Sequence, residues 1–485
     1  MKKSLKLTFV VASVLMLVCT AKAANTWYVD DDNYGKEGLT GKTAELAYGT
    51  IQDAINNASS GDTIYVAPGV YSNGSGAAVS SWGTSRIGWN NKKLFIYSTG
   101  NASNTHIVGN KNPGTDIGTG EGAIRCLAIY DNNGTSCAGT VIKGFTFRDG
   151  STLTNSSNTY ANRGGGVCVS HENIYFSDCI FTGCSAYNAS AAYNGTFVRC
   201  LFTQNVVSAL SGASTVLGTS SHKVRLYGCV VHHNLWSKDN ENANGTLLSF
   251  VVAVNCTIVD NAFAKCCGSA DESFYNTIFY NSGTYASASV FSNCVKEGDD
   301  IHPIMSTIIP DVRLLPGSAA LTAGRGEHLS LIELPEEIGF KDYGGNLPAM
   351  SGVIAAGATQ TVCTPASGGI AVKGGAICVN GTGLCRKDAY SYVFPDVYPT
   401  QYLFTAVAPE RKRLSYFHFY GHSAATYDYR FPDRNDRLWV MPPSDPNMVI
   451  TNYETVVRDI TYVKPDADPA DRAVRYGVQI MTASM

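Results

Sequence analysis

The chain has 485 residues, 48 of them glycine, with 15% charged residues and a net charge of −3. That length suffices for two or three domains, and many glycines with few charges fit an all-β protein rich in turns. No basic tract stands out, which excludes a nucleic-acid binder that relies on a cationic footprint.

The first element in chain order is a leader. Lys2, Lys3 and Lys6 precede a mostly apolar run from Leu7 to Val18, and Ala21-Lys22-Ala23 has the small-x-small pattern of a cleavage site. Residues 1–23 are expected to be a signal peptide, and the mature chain a bacterial protein that is secreted or held in the cell envelope. The apolar run is shorter than the roughly 20 residues a membrane span needs, and no later stretch reads as a transmembrane segment. Fourteen of the 15 cysteines lie beyond the leader, since only Cys19 falls inside it.

Residues 26–71 open the mature chain. Trp27-Tyr28-Val29 reads as a strand and Asp30-Asp31-Asp32 as an acidic turn. Ile51, Ala54, Ile55 and Ala58 recur at helical spacing after Thr50, with Asp53 three residues on, so a short capped helix is expected there. Gly61–Tyr71 then gives turn, strand and turn. An amphipathic helix of this kind would cover the apolar end of a solenoid's first coil. The run from Tyr28 to Tyr71, with its TIQDAI helix and GDTIYVAPGVY turn, resembles the N-terminal segment of secreted bacterial right-handed parallel β-helix proteins of the pectate-lyase-like superfamily. That resemblance implies the fold. It implies no single activity, because the superfamily holds lyases, hydrolases, epimerases, tailspikes and adhesins.

Between 72 and 141, Leu94–Tyr97, His106–Val108 and Ile124–Tyr130 are strand candidates separated by polar loops. From Ile142 to Ser282 one phrase is written six times, centred on Phe145, Cys179, Cys200, Cys229, Cys256 and Thr277. Two residues after each centre stand Phe147, Phe181, Phe202, Val231, Ile258 and Phe279, and three before it Ile142, Phe176, Phe197, Leu226, Ala253 and Phe274. Positions 0 and +2 share strand parity and point one way. Position −3 has the opposite parity, so a bend between −3 and 0 is needed to turn it inward too. Strand, bend, strand and turn make one coil of a parallel β-helix, in which like side chains stack into ladders. The β-branched and aromatic runs argue against a helical solenoid. GGGVCV at Gly164–Val169, followed by CIFTGC and CLFTQN, resembles the repeats of polymorphic outer-membrane proteins, which are β-helical surface passengers.

Residues 283–360 are expected to close the solenoid. LLPGSAALTAG at Leu314–Gly324, with Asp342-Tyr343-Gly344 and Ala356-Gly357-Ala358, resembles the terminal run of secreted β-helix proteins. Residues 24–360 thus form the expected right-handed parallel β-helix with its N-terminal cap. Residues 361–457, with alternating Tyr, Phe and Val, are expected to be a small β-sandwich-like domain, and 458–485 a tail resembling the start of another module.

The ladders name the structural residues: Cys179, Cys200, Cys229 and Cys256 as small buried hydrophobes, the apolar +2 column, and Asn205, Asn234 and Asn261 as stacked amides at the turn. Cys126/Cys137 and Cys378/Cys385 are expected as local disulfides. Asp30, Asp31 and Asp32 carry the oxygen ligands that Ca²⁺ takes, though the run reads first as a solvated turn. No other cofactor is expected. His232-His233 reads as a solvated pair and Asp178/Arg199 as a surface ion pair. Tyr187, Tyr193 and Trp236 are either loop packing or a sugar-stacking face. Catalysis by a lyase needs a base and a charge neutraliser, and by a glycoside hydrolase a pair of carboxylates on neighbouring coils. The outward columns at −1, +3 and +4 do not supply such a pair. The expected function is therefore recognition of a polysaccharide or host-surface ligand along an elongated face, without a catalytic constellation. The alternative is a polysaccharide lyase or glycoside hydrolase of the pectate-lyase-like superfamily.

Overall fold

A computed structural model describes residues 24–75, 80–115, 117–132, 134–154, 160–207, 215–219, 223–236, 245–259, 261–268, 272–280, 282–296, 314, 318 and 320–360, together with the backbone of six short strands between 370 and 480. The expected leader, most of the proposed 361–457 domain, the Cys385 partner of Cys378, and Asp260 and Asn281 of the +4 column lie outside the described residues.

Three sheets run the length of the solenoid. Sheet A has ten strands in strict chain order, from Thr26–Val29 through Thr63–Val66, Phe95–Ser98, Val141–Lys143 and onward to Val290–Ser292. Sheet B has eight, from Gly69–Tyr71 to Ile278–Tyr280. Sheet C joins Ser85–Asn90, Arg125–Tyr130 and Val167–Val169 to Thr215–Leu217, Thr246–Leu248 and Lys265–Cys267 through bridges at Ala192. Every pairing within these sheets is parallel, and each strand pairs with its counterpart one coil away. This is a parallel β-helix.

The parity problem in the repeat is solved by backbone geometry. Position −1 adopts a left-handed conformation in every coil from Gly144 on: Asp178 (φ 55°), Arg199 (52°), Gly228 (59°), Asn255 (51°), Asn276 (50°) and Asn293 (55°). One left-handed residue breaks the alternation, so −3, 0 and +2 all face the core. Position +4 does the same at Asp149, Gly183, Gln204 and His233. Glycine, asparagine and aspartate tolerate this region best, which accounts for most of the residues found there.

The core is a column of rings. Phe147, Phe181 and Phe202 stack face to face with centroids 5.0 and 4.8 Å apart, and Phe176 stacks on Phe197 at 4.9 Å. The two ladders meet edge to face, as at Phe181–Phe197. Each such ring is fully buried and contributes about 2–3 kcal/mol of transfer free energy. Beside them, Asn205, Asn234 and Asn261 pass amide hydrogen bonds up the stack at 2.9 Å, and the last donates to Ser282. The thiols of Cys200 and Cys229 donate to the carbonyls of Phe176 and Phe197 on the preceding coil.

Helix α1 (Ile51–Asn57) lies at the N-terminal end, with Thr50 accepting from the Asp53 amide at 3.1 Å. Ile51, Ala54 and Ile55 enter the core. Gln52 behaves like a missing strand: its amide group bonds both the N–H and the C=O of Gly88, on the edge strand of sheet C.

Residues 320–360 run back along the flank of the solenoid as a strap. Leu329, Ile332, Ile338 and Ile354 pack on Val141, Tyr175, Val198, Tyr227 and Val254, the outward face of sheet A. Ala358 reaches Leu201 and Val230 on sheet B. An outward face this apolar needs a cover along its length. One expectation is corrected here: the Cys126/Cys137 disulfide is absent, and both thiols are free. The strand Arg125–Tyr130 separates them, with Cys126 at its start bonded to Arg148 O and Cys137 beyond its end bonded to Tyr130 O. Among the described residues no helix is long and apolar enough to cross a membrane.

Candidate recognition face

The −1 column has a second use. Pointing outward at the A–B bend, its side chains seat the strap. Asn276 bonds both the N–H and the C=O of Arg325, at 2.8 and 2.7 Å. Asn255 donates to Ala355 O and Gly357 O, and Asn293 Oδ1 lies 2.9 Å from His328 Nε2. Arg199 donates to the carbonyls of Ile338, Gly339 and Lys341 while holding Asp178 at 2.7 Å.

The Asp178/Arg199 pair is therefore not a solvated surface pair: the guanidinium is buried under the strap, with its side chain only 7% exposed. Burial pushes the Asp178 carboxyl up, but the hydrogen bonds and charge of Arg199, helped by Ser177 and Lys143, outweigh it and hold the group low. A carboxylate held below its unfolded value stabilises the fold above that value and loses the contribution as pH falls toward the folded one. Strap docking is thus expected to loosen as pH drops below about 4, the ordinary aspartate range. Hydrogen exchange at Ile338–Lys341 should speed up there, and Asp178→Asn should flatten that acid response.

The other sequence-level candidates fall as follows. His232 and His233 are buried rather than solvated. The left-handed turn at His233 swings its ring against His232, edge to face at 4.6 Å, instead of to the opposite side. Tyr193 is buried in an aromatic cluster over sheet C with Trp82, Tyr130 and Tyr160, and its hydroxyl accepts from Arg163 at 3.0 Å. It offers no sugar a face, and it is loop packing. The side chain of Trp236 lies outside the described residues. Asp30, Asp31 and Asp32 gather their carboxylates within 4.8 Å of one another. Two of them are already engaged: Asp31 accepts from the Val70 amide at 2.7 Å and Asp30 from that of Asp32 at 3.1 Å. The run ties the first coil to sheet B and makes no independent case for a cation.

One outward feature was missed. On sheet A, Tyr28, Tyr65 and Tyr97 are in register on three successive coils. Their ring centroids are 6.0 and 6.1 Å apart. Tyr65 is 36% exposed, and Tyr28 and Tyr97 are half-buried. The strap ends the ridge at Tyr97, which packs against its apolar cluster. Burial, then the nearby Glu337 carboxylate and Tyr65, push the Tyr97 phenol up, so it stays a neutral hydrogen-bond donor. A signal was present in the sequence: Trp27-Tyr28, Ile64-Tyr65 and Ile96-Tyr97 repeat an apolar-then-tyrosine pair in the first three strands of this sheet.

A second polar patch lies at the far edge of sheet B, where Asp149 sits 3.3 Å from Arg148 and 3.9 Å from Lys111. Among the described residues, neither bend column carries carboxylates on two adjacent coils: Asp178 is followed by Arg199, and Asp149 by Gly183.

No family model matches the chain, and no curated protein does. Among solved structures it is similar to a pectin methylesterase from carrot (14% identity, 57% of this chain and 90% of that one, TM-score 0.30). It is also similar to the pectin methylesterase PemA from Erwinia chrysanthemi (15%, 58% and 92%, TM-score 0.34) and to pectate lyase Pel9A (12%, 73% and 94%, TM-score 0.33). Overlaps this loose transfer no activity, and the fold rests on the chain's own strand order.

Proposed function

We propose that this protein is a secreted or cell-surface β-helix that recognises a glycan, without catalysis, along the Tyr28–Tyr65–Tyr97 ridge. The ridge is the observation that carries the reading. Aromatic faces suit the C–H surface of sugar rings, and tyrosine adds a hydroxyl for their polar edge. The coil repeat of about 4.8 Å is close to the length of one pyranose unit, so successive rings can meet successive sugars. The rings ride on strands rather than loops, which keeps the ordering cost of binding low.

Three of the carboxylates that the enzyme alternative could call on are otherwise employed. Asp62 accepts from Asn25, Trp27 and Ser59. Asp342 accepts from Asn346 and Gln360. Asp178 holds Arg199.

The test is to incubate residues 24–485 with neutral glycans and polyuronates, with and without Ca²⁺, following bound ligand, reducing ends and the ultraviolet absorbance of unsaturated products. Recognition predicts binding with both product signals flat. A rise in reducing ends alone would mean hydrolysis, and a rise in absorbance β-elimination; either would overturn the non-catalytic reading.

A further inference from the structure

Recognition along sheet A makes no use of the cysteine column at the A–B bend. Cys179, Cys200, Cys229 and Cys256 occupy the same inward position on four successive coils. The following strands fix this register, with Ile180 paired to Leu201, Leu201 to Val230, and Val230 to Thr257. Coils stack about 4.8 Å apart, inside the roughly 4.4–6.8 Å range of Cα separations that a disulfide bridges. The thiols lie within hydrogen-bonding reach of one another along the column, Cys200 of both Cys179 and Cys229, and Cys256 of Cys229, and the Cys200 amide donates to Cys229 Sγ at 3.4 Å. All four thiols are free and buried. The run of neighbouring thiols then ends, because the next coil places Thr277 there, accepting from the Cys256 amide and separating it from Cys294 one coil further on.

Four neighbours in a row pair without remainder in one way only. A central Cys200–Cys229 bond would strand the outer two. We propose that folding in an oxidising medium closes Cys179–Cys200 and Cys229–Cys256 as inter-coil disulfides. In each, one thiolate attacks a small-molecule disulfide such as oxidised glutathione, forming a mixed disulfide and releasing one small thiol. The neighbouring thiolate then displaces the second. Two protein S–H groups are lost, one S–S bond is formed, and the small disulfide is reduced to two thiols. All four thiols are buried in the finished column, out of reach of a small disulfide in solution. The exchange therefore belongs to the stage at which coils stack, before the column closes. The lost contacts are weak sulfur-to-carbonyl bonds such as Cys200 to Phe176 O, whereas each bridge constrains a loop of about 20–30 residues in the unfolded chain.

The test is to refold the full chain in mixed oxidised and reduced glutathione, alkylate it in denaturant and map it with trypsin. Cleavage after Arg163, Arg199, Lys223, Arg225 and Lys238 puts the four cysteines in separate peptides; the Cys179 peptide also holds Cys168 and Cys184, so the Cys179→Ser variant assigns its bridge. The expected map joins the Cys179 and Cys200 peptides and the Cys229 and Cys256 peptides, each pair two hydrogens lighter than the free peptides together. The bridged protein should unfold at a higher denaturant concentration than protein refolded with reductant. Cys200→Ser, and separately Cys179→Ser, should each keep Cys229–Cys256 while leaving the orphaned partner alkylated. All four cysteines alkylated after oxidative refolding would overturn the proposal, as would pairing spread over the other cysteines, or loss of Cys229–Cys256 in both variants.

Discussion

Asn234→Leu is expected to destabilise the protein by about 3–5 kcal/mol, read as a fall in the denaturant midpoint. The side chain works in both directions along its column. Its Oδ1 accepts from the Asn205 amide at 3.1 Å and from Asn205 Nδ2 at 2.9 Å. Its Nδ2 donates to Phe202 O at 3.0 Å, to His232 O at 3.1 Å and to Asn261 Oδ1 at 2.9 Å. Leucine has similar bulk but none of these groups. It would strand a buried N–H and a buried carbonyl at a bend, each worth about 1–3 kcal/mol when left without a partner. A loss below about 1 kcal/mol would mean that the bends are held by packing alone.

Arg125→Met should cost about as much, by a different route. Arg125 is buried, 1% exposed, and donates to four main-chain carbonyls: Trp82, Tyr160, Arg163 and Gly164. No carboxylate is among these acceptors, and burial lowers the guanidinium's pKa. The cation is satisfied by carbonyl dipoles from two separate loops, which it pins over sheet C, so methionine would leave several buried acceptors unmet. We expect a loss of about 3–5 kcal/mol, with hydrogen exchange accelerating first at Tyr160–Gly166 and around Trp82. Uniform acceleration across the solenoid would instead show that Arg125 supports the core as a whole.

The two results concern different parts of the fold, and they differ in how readily the sequence announces them. The asparagine and phenylalanine columns are legible because like residues recur at fixed offsets from each centre, and stacking coils must bring them together. The need for a bend before position 0 follows from strand parity alone. Its consequence for the −1 column does not: Asp178, Asn255 and Asn276 read as outward polar groups beside Gly144 and Gly228, whereas a left-handed backbone selects all five. Arg199 escapes even that rule, because its position is set by the strap that buries it. The strap joins residues more than a hundred positions apart, as at Asn255 and Gly357, and no local pattern marks such a contact. Arg125 is hidden for the same reason, its acceptors coming from loops that precede and follow it in the chain. The tyrosine ridge was legible in principle, but only once the first three strands were known to be neighbours.

The most direct test of the recognition reading is the affinity of the full chain and its Tyr65→Ala variant for soluble neutral oligosaccharides of three or more sugar units. Tyr34→Ala serves as the control, an exposed tyrosine (54%) whose ring is not part of the ridge. One stacked ring is worth about 1 kcal/mol or somewhat more, so Tyr65→Ala should weaken binding about five- to tenfold while the protein stays folded with a slightly lower unfolding midpoint, and Tyr34→Ala should bind like the parent. Equal affinity for Tyr65→Ala and the parent would contradict the account and move the search to another face of the solenoid.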